Sequence, residues 1–347
     1  MQMILGADLG GTKCNLILFE IDGCELRPVS RFMGRTAEFS GIEELLDAFS
    51  AHLAKEGYSL ADGSLRSAAF GVAGAIVNDQ AVSNNLAWTI TREGVSQALG
   101  LPASETVLLN DVEAAASSLT HLASEHLLPL NSAAPVALRP KLYIAAGTGL
   151  GESILFWNGD GYQVSPCEAG QTDFAPGSEE EITLLKFLRG RMPRVSTEEI
   201  VSGRGFRIIH EALFPEVQHP FFDDPSLDAA ANITRQAFGK TCAACERTLH
   251  IWTRAYGSEA GNMALRSLPY GGVYIGGGIA LKILPKLMDG TFVRAFCDKT
   301  LLSAELARIP IYVVLKQDAP VLGAAYVALD SVNRAEPGRE KTSSSAL

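Results

Sequence analysis

Two glycine-rich turns, each directly after a short apolar run, contain residue types that bind phosphate groups. The first is Asp8-Leu9-Gly10-Gly11-Thr12-Lys13, and the second is Gly147-Thr148-Gly149-Leu150-Gly151. Glycines in a tight turn let backbone N–H groups point inward without obstruction by a Cβ, and such a concave set of donors binds phosphate oxygens. A threonine hydroxyl adds a donor in each turn. Taken alone, the first turn is equally compatible with a plain hairpin connection.

Further residues at these turns suit a magnesium nucleotide. Asp8 follows the first apolar run directly and is placed to orient Mg²⁺ on a nucleotide, or a water bound to it. The chain lacks the Walker pattern, and no G-x-G-x-x-G follows a strand and opens a helix. A third cluster, Gly276-Gly277-Gly278-Ile279-Ala280, would let an adenine ring or ribose approach the backbone. Alternatively, this third cluster is only a turn between a strand and a helix and binds no ligand.

A candidate acceptor site follows the apolar run that ends at Leu109. Asn110 and Asp111 come next, where a predicted strand meets a predicted helix, and α/β folds place reactive groups at such strand ends. Phosphoryl transfer needs a positioned hydroxyl whose proton is accepted. Asp111 is therefore the candidate general base, a role worth about 10²–10⁴ in rate. Asn110 is a candidate ligand of a sugar hydroxyl. Alternatively, either residue does no more than cap the helix from 112.

Carboxylates and amides near glycine suit polyol recognition, because sugar hydroxyls both donate and accept hydrogen bonds. The segment Glu168-Ala-Gly-Gln171-Thr-Asp173 has this composition. Ser178 and Glu181 have the spacing of a helix capping box, as do Ser196 and Glu199. The second box assigns Glu199 to structure and leaves Glu198 free to bind a ligand.

The elements that must position these residues form an α/β pattern. A strand, a Gly-Thr turn and a second strand occur over residues 3–19 and again over 142–156, which indicates a short internal duplication. Apolar residues at helical spacing predict a helix over 42–53, and Pro320 to Leu329 reads as a closing helix. Ser124 to Pro140 is predicted to be a loop. Strands alternating with helices predict mixed central sheets.

Length and composition limit the class of protein. The 347 residues suit two domains, and the net charge of −10 argues against a nucleic-acid partner. No apolar run approaches the ~20 residues that span a bilayer. Six scattered cysteines and no apparent secretory signal favour the cytoplasm. Cys242-Ala-Ala-Cys245 has redox spacing, but its flanks predict one continuous helix from Thr234 to Trp252, which favours ordinary thiols.

Taken in order, these motifs resemble the bacterial glucokinase family, relatives of hexokinases in the actin-like ATPase superfamily. The resemblance spans residues 3 to about 330 and includes Glu198-Glu-Ile-Val-Ser-Gly. It implies a two-lobed α/β fold of the actin-like ATPase (ribonuclease H-like) type, with mixed central sheets and a cleft for sugar and Mg-ATP. The expected small domain is 1–111 plus about 316–332, and the large domain is 112–315. Residues 333–347 are predicted to be a disordered tail. A homodimer is the family expectation.

The resemblance also assigns residues to the two substrates. It implies Asp111 as the base, and its candidate sugar ligands are Asn85, Asn110, Asp111, Glu168, Gln171 and Glu198. Gln171 stands where the family usually has histidine, and glutamine cannot hold a proton near neutral pH. A related repressor–kinase family has a zinc-binding cysteine cluster whose spacing this chain lacks, so no structural zinc is predicted.

Three functions are compatible with these residues. The first is ATP-dependent phosphorylation of glucose at its 6-hydroxyl, with Mg²⁺ as cofactor. The second is a kinase for another hexose or an amino sugar, suggested by Gln171. The third is a sugar-binding regulator without catalytic activity, which the acidic charge and the lack of a helix-turn-helix segment before Met3 disfavour.

Overall fold

The computed structural model describes residues 2–82, 86, 88–224 and 226–335. The chain forms two compact units, Met1–His121 with Asp318–Leu347, and Leu122–Gln317. Asn85 and residues 336–347 of the predicted tail lie outside the described residues, whereas residues 333–335 are helical. Within the part that is described, no helix combines the length and the apolar character needed to cross a membrane.

The first unit contains a five-stranded sheet in the order β3-β2-β1-β4-β8 and a three-stranded sheet in the order β5-β6-β7. Its strands are β1 (Met3–Leu9), β2 (Lys13–Asp22), β3 (Glu25–Arg35), β4 (Leu65–Val72), β5 (Ala75–Val77), β6 (Gln80–Val82), β7 (Ile90–Thr91) and β8 (Thr106–Asn110). As predicted, β1 and β2 are antiparallel across the first glycine turn, while β4 and β8 run parallel to β1. The carboxyl ends of β1, β4 and β8 therefore share one edge.

Helices cover both faces of this sheet. They are α1 (Ile42–Lys55), α2 (Arg92–Leu99) and α3 (Asp111–Ser117). Residues of β1 alternate between two cores, since Leu5 packs with Leu45 of α1, whereas Ile4 packs with Ala114 of α3. This alternation is the two-residue period of a strand that is buried on both sides.

The second unit is built on a six-stranded sheet in the order β12-β11-β10-β13-β14-β9. Its strands are β9 (Leu127–Pro129), β10 (Lys141–Ala146), β11 (Leu150–Trp157), β12 (Tyr162–Cys167), β13 (Val273–Gly276) and β14 (Ile311–Val314). β10 and β11 are antiparallel across the second glycine turn, which repeats the arrangement of β1 and β2. The predicted α/β class with mixed sheets is confirmed.

Nine α-helices are described in this unit. They are α4 (Glu179–Arg189), α5 (Gly203–Leu213), α6 (Pro220–Asp223), α7 (Ala229–Phe238), α8 (Ala243–Ser267), α9 (Gly277–Lys282), α10 (Leu284–Met288), α11 (Thr291–Cys297) and α12 (Ser303–Leu306). The long α8 is central to the core: Tyr256 donates its hydroxyl proton to the carbonyl of Ile144 in β10 (3.1 Å), and Trp252 donates to the carbonyl of Ser202 (3.0 Å). α8 therefore connects the sheet to the start of α5.

The chain returns to the first unit with α13 (Ala319–Ala335). This helix packs closely because glycine removes side chains at its contacts. A Cβ on Gly323 would lie 1.8 Å from the carbonyl oxygen of Ala114, and one on Gly6 would lie 2.6 Å from that of Val321. α3 thus packs against α13 within the first unit, which extends to His121, ten residues beyond the boundary expected at 111.

Two local predictions differ from the structure. The predicted loop over Ser124–Pro140 contains β9, a three-residue edge strand antiparallel to β14 that is too short to show a periodic pattern. The predicted continuous helix over Thr234–Trp252 is wrong, because α7 ends at Phe238 and α8 begins at Ala243. Gly239 and the left-handed Lys240 (φ +54°) form the break, so Cys242 is the N-cap residue of α8.

Candidate active site

The first glycine turn is held by Thr36, the residue that follows β3 in the same unit. The N–H of Gly10 donates to the carbonyl of Lys13 (2.9 Å), and the Thr36 hydroxyl donates to the carbonyl of Gly10 (2.6 Å). The N–H of Thr36 donates to the carbonyl of Thr12 (3.1 Å). Gly11, Thr12 and Lys13 are exposed, as a site for an incoming ligand requires.

Asp111 and Asn110 occupy the end of β8 and the start of α3. Asn110 caps α3, since its side-chain oxygen accepts the N–H of Val112 (2.9 Å), and its amide donates to the carbonyl of Gly74 (2.9 Å). Asp111 is the first helical residue, and its Oδ1 accepts the same N–H of Val112 (2.9 Å). The capping role of Asn110 is therefore real. It also fixes the position of Asp111 beside it.

Asp8 and Asp111 interact electrostatically within this unit. Burial of the Asp8 carboxyl, and then the nearby charge of Asp111, raises the pKa of Asp8 to about 7. Asp8 lies opposite Gly71 in β4, and a Cβ on Gly71 would lie 2.8 Å from Cβ of Ala114 in α3. A bare Gly71 lets α3 approach the sheet and brings the two carboxylates together. Such a pair fits Mg²⁺, a cation with oxygen ligands whose charge would relieve the repulsion.

In the second unit, Glu198 binds the second glycine turn. Its Oε2 accepts the N–H of Leu150 (3.1 Å), and a Cβ on Gly149 would lie 2.6 Å from that same oxygen. Its Oε1 accepts a hydrogen bond from Arg204 (2.9 Å), which also donates to Glu199 (2.8 Å). Glu198 was predicted to be free for a ligand. In the structure it bridges the turn to α5.

Glu168 and Gln171 lie on a single 3₁₀ turn that packs against the same glycine turn. A Cβ on Gly170 would lie 2.3 Å from the carbonyl oxygen of Leu150, so the two turns are in direct contact. The following segment pairs with the one before Glu198, since the N–H of Thr197 donates to the carbonyl of Thr172 (2.9 Å). Both Glu168 and Gln171 are exposed. The structure thus brings Glu168, Gln171, Glu198 and the turn at 147–151 together.

A cavity of about 340 Å³ lies beside this turn, entirely within the second unit. It is lined by Gly147, Thr148, Gly203, Phe206, Asp228, Ala230, Thr234, Gly278, Ile279, Lys282 and Ile283. Gly277 connects β13 to α9 with φ +84°, and a Cβ there would lie 2.7 Å from the carbonyl of Ala146. By contrast, a Cβ on Gly147 or Gly278 meets no atom within 4 Å. The second and third glycine clusters therefore face one open space.

Comparison with known proteins gives a consistent assignment. A protein-family model described as Glucokinase matches residues 5–331. The glucokinase of Nostoc punctiforme is 36% identical over 347 residues, covering 94% of this chain and 99% of the relative. The chain belongs to the glucokinase family. The family assignment confirms the predicted function, ATP-dependent phosphorylation of glucose. Nothing in the comparisons favours a kinase for another sugar or a regulator without catalytic activity.

Solved structures of glucokinases have the same fold. The crystal structure of a glucokinase from an Antarctic psychrotroph has a TM-score of 0.80 at 26% identity, covering 95% of this chain and 99% of that one. A ROK family glucokinase from Streptomyces griseus, solved with glucose and AMPPNP, has a TM-score of 0.63 at 20% identity, covering 94% and 99%. The predicted actin-like ATPase fold is confirmed.

Three residues of this glucokinase site were not found from the sequence. Arg204 holds Glu198 and Glu199, Gly71 admits α3 to the sheet, and Gly170 admits the Glu168–Gln171 turn to Leu150. A glycine within or just after a predicted strand is a weak signal of close backbone approach, and that signal was available for Gly71. Arg204 gave no signal, because its partners depend on how the segment at 198–204 folds.

Proposed function

We propose that this glucokinase transfers the γ-phosphoryl group of ATP to the 6-hydroxyl of glucose through the predicted site residues. The observation that supports this best is the contact of the turn at 147–151 with the Glu168–Gln171 turn and with Glu198. Donors for phosphate therefore adjoin carboxylates and an amide for a polyol. A kinase requires this combination.

Asp111 acts as the general base. It accepts the proton of the 6-hydroxyl as that oxygen attacks the γ-phosphorus, while the bond to the bridging oxygen of ADP breaks. Asn110 fixes the start of α3 beside Asp111, and the second N–H of its amide has no partner among the described residues and can donate to a sugar hydroxyl. Asp8 is the residue that would hold Mg²⁺ or its water. When bound, Mg²⁺ would neutralise the developing charge on the phosphates.

Glucose is bound by the ligands that the resemblance implies. Glu168 and Gln171 present exposed polar groups next to the second glycine turn. Glu198 accepts hydrogen bonds from Leu150 and Arg204 and has remaining lone pairs for a sugar hydroxyl. Glu198 would therefore couple sugar binding to the shape of the phosphate turn.

A coupled assay with ATP, Mg²⁺ and a panel of hexoses tests the function. We expect the highest kcat/KM with glucose, because the family and the polar ligands both favour it. Absence of phosphorylation with every sugar would contradict the kinase assignment. A clear preference for mannose or N-acetylmannosamine would contradict the choice of glucose and point to Gln171 as its cause.

The adenosine of ATP occupies the cavity beside Gly147 and Gly278. We expect Gly278→Leu to raise the KM for ATP at least about tenfold, because a side chain at this open position enters the space that the nucleotide needs. The KM for glucose and the melting temperature should stay near the native values. Gly278→Ala is the matched control, with a smaller effect. Equal ATP affinity in all three proteins would place the nucleotide elsewhere.

The homodimer and the cytoplasmic location stay predictions from the sequence. Size-exclusion chromatography with light scattering measures the first directly.

A further inference from the structure

Four side chains that ligate metals come together in the second unit, away from the turn at 147–151. They are His210 on α5, His219 before α6, Cys242 at the N-cap of α8 and Cys245 in its first turn. One ligand atom from each lies within 4.8 Å of the others, a grouping found once among the described residues. The four come from three segments of the chain, so the fold assembles the cluster.

The distances within the cluster match a tetrahedral zinc centre. Nε2 of His219 lies 3.6 Å from the sulfur of Cys242 and 3.5 Å from that of Cys245. Zinc binds cysteine sulfur at about 2.3 Å and histidine nitrogen at about 2.0 Å, which separates sulfur from nitrogen by about 3.5 Å in a tetrahedron. One imidazole nitrogen has a single proton or lone pair, so it cannot form good hydrogen bonds to both thiols.

His210 provides an independent observation. Its side chain is fully buried (0% exposed), and neither ring nitrogen has a hydrogen-bond partner among the described residues. Its ring packs against the rings of Phe214, Phe222 and His219. A buried polar group without a hydrogen-bond partner destabilises a fold, because it has lost its water without a replacement. A metal ion at the cluster would provide one of these nitrogens with a partner.

The position of the two cysteines suits metal binding better than redox chemistry. The N–H of Cys245 donates to the sulfur of Cys242 (3.3 Å), and both residues lie at the N-terminus of α8. Both sulfurs lie close to the same imidazole nitrogen, Nε2 of His219, at 3.6 Å and 3.5 Å, as ligands of one ion would.

We propose that His210, His219, Cys242 and Cys245 bind one structural Zn²⁺ in a closed tetrahedral site. Such a site holds the C-terminal half of α5 to the N-terminus of α8. α5 begins at Gly203, whose N–H donates to the carbonyl of Gly147 (2.8 Å), so the metal stabilises a helix that supports the phosphate turn. The spacing of the cysteines predicts no zinc site, because two of the four ligands are histidines distant in sequence.

The metal content of the full-length protein tests this site. The protein is expressed without a polyhistidine tag, purified without chelators and measured by plasma mass spectrometry. We expect about one zinc per chain. Cys242→Ser and His219→Gln should each lower the zinc content at least about tenfold, since loss of a ligand weakens such sites strongly. Cys24→Ser, which removes an exposed thiol outside the cluster, should retain the metal.

Cobalt provides a readout that does not depend on the folding of the variants. The wild-type protein, stripped with a chelator and shown to remain folded by circular dichroism, is titrated with Co²⁺ alone. We expect the visible absorption of tetrahedral Co²⁺ with thiolate ligands, and a higher melting temperature with zinc than without it. Metal-free protein that binds neither ion would overturn the proposal. So would zinc that persists in Cys242→Ser, or a Cys242–Cys245 disulfide seen by mass spectrometry in the purified protein.

Discussion

The Asp111→Asn variant is expected to bind glucose normally and to lose about 10²–10⁴ of kcat. The amide has the same shape as the carboxylate, and its oxygen can still accept the N–H of Val112 that Asp111 accepts at 2.9 Å. α3 should therefore begin at the same residue. The amide cannot accept the proton of the 6-hydroxyl, so the loss should appear in kcat, while the dissociation constant of glucose stays within about twofold.

Glu113→Gln is the matched control, because it removes a carboxylate from the same first turn of α3. We expect its kcat to remain near the native value. Glucose affinity from calorimetry and kcat from the coupled assay separate the two roles of Asp111. Near-native turnover in Asp111→Asn would show that another group accepts the proton. A parallel loss in Glu113→Gln would show that the charge of this helix end matters, rather than a specific base.

The features predicted most successfully were short and local. Strand, glycine turn and strand at 3–19 and 142–156 became β1–β2 and β10–β11, because apolar runs and tight-turn glycines determine a hairpin with little help from the rest of the fold. The first capping box was half correct. Ser178 accepts the N–H of Glu181 (3.3 Å), but the Glu181 carboxylate accepts the N–H of Gly177 (2.6 Å).

The second predicted capping box is wrong, because Glu199 has a partner from a later helix. Among the described residues, the Ser196 side chain makes no capping hydrogen bond, and Glu199 pairs with Arg204 instead. A cap depends on local spacing, whereas an ion pair depends on where a later helix begins. Glu198 was therefore correctly separated from helix capping, yet its contact with Leu150 was not foreseeable from local spacing.

Long-range groupings were the other features that could not be predicted. The sequence predicts Cys242 and Cys245 inside one helix, and its local patterns do not connect them with His210 or His219. Gly239 and Lys240 break that helix and place Cys242 at a helix start, where its sulfur faces His219. A glycine inside an apolar periodic pattern does not by itself stop a helix, so the break was not evident. The fold can be predicted without knowing of this helix break, but the grouping of the two cysteines with the two histidines cannot.

The second large effect concerns Asp8, whose replacement by asparagine should stabilise the metal-free protein while lowering its activity. The pKa of Asp8 is raised from 3.8 to about 7 by burial and by the charge of Asp111. One pKa unit corresponds to about 1.4 kcal/mol, so charging this carboxylate costs on the order of a few kcal/mol. Asparagine keeps the size without the charge. Activity should fall at least about tenfold, because the proposed ligand of Mg²⁺ or its water is lost.

The direction of this pH dependence follows from the number of protons bound by the folded and the unfolded protein. Between the unfolded pKa of 3.8 and the folded value of about 7, the native state retains a proton that the unfolded chain has lost. The free energy of unfolding of the wild type therefore falls as pH rises through this window and is constant above it. The advantage of Asp8→Asn over the wild type should grow from about pH 4 to about pH 7 and then level off.

Scanning calorimetry from pH 5 to 8, in chelator and without nucleotide, measures this profile. Asp111→Asn is the informative comparison, because it removes the second cause of the raised pKa of Asp8 and leaves its burial. Its gain in stability should be smaller than that of Asp8→Asn and should also increase with pH. If Asp8→Asn is no more stable than the wild type at pH 8, neither burial nor the charge of Asp111 destabilises the ionised Asp8 in the folded protein. The inferred magnesium position, which depends on repulsion between the two carboxylates, would then be wrong as well.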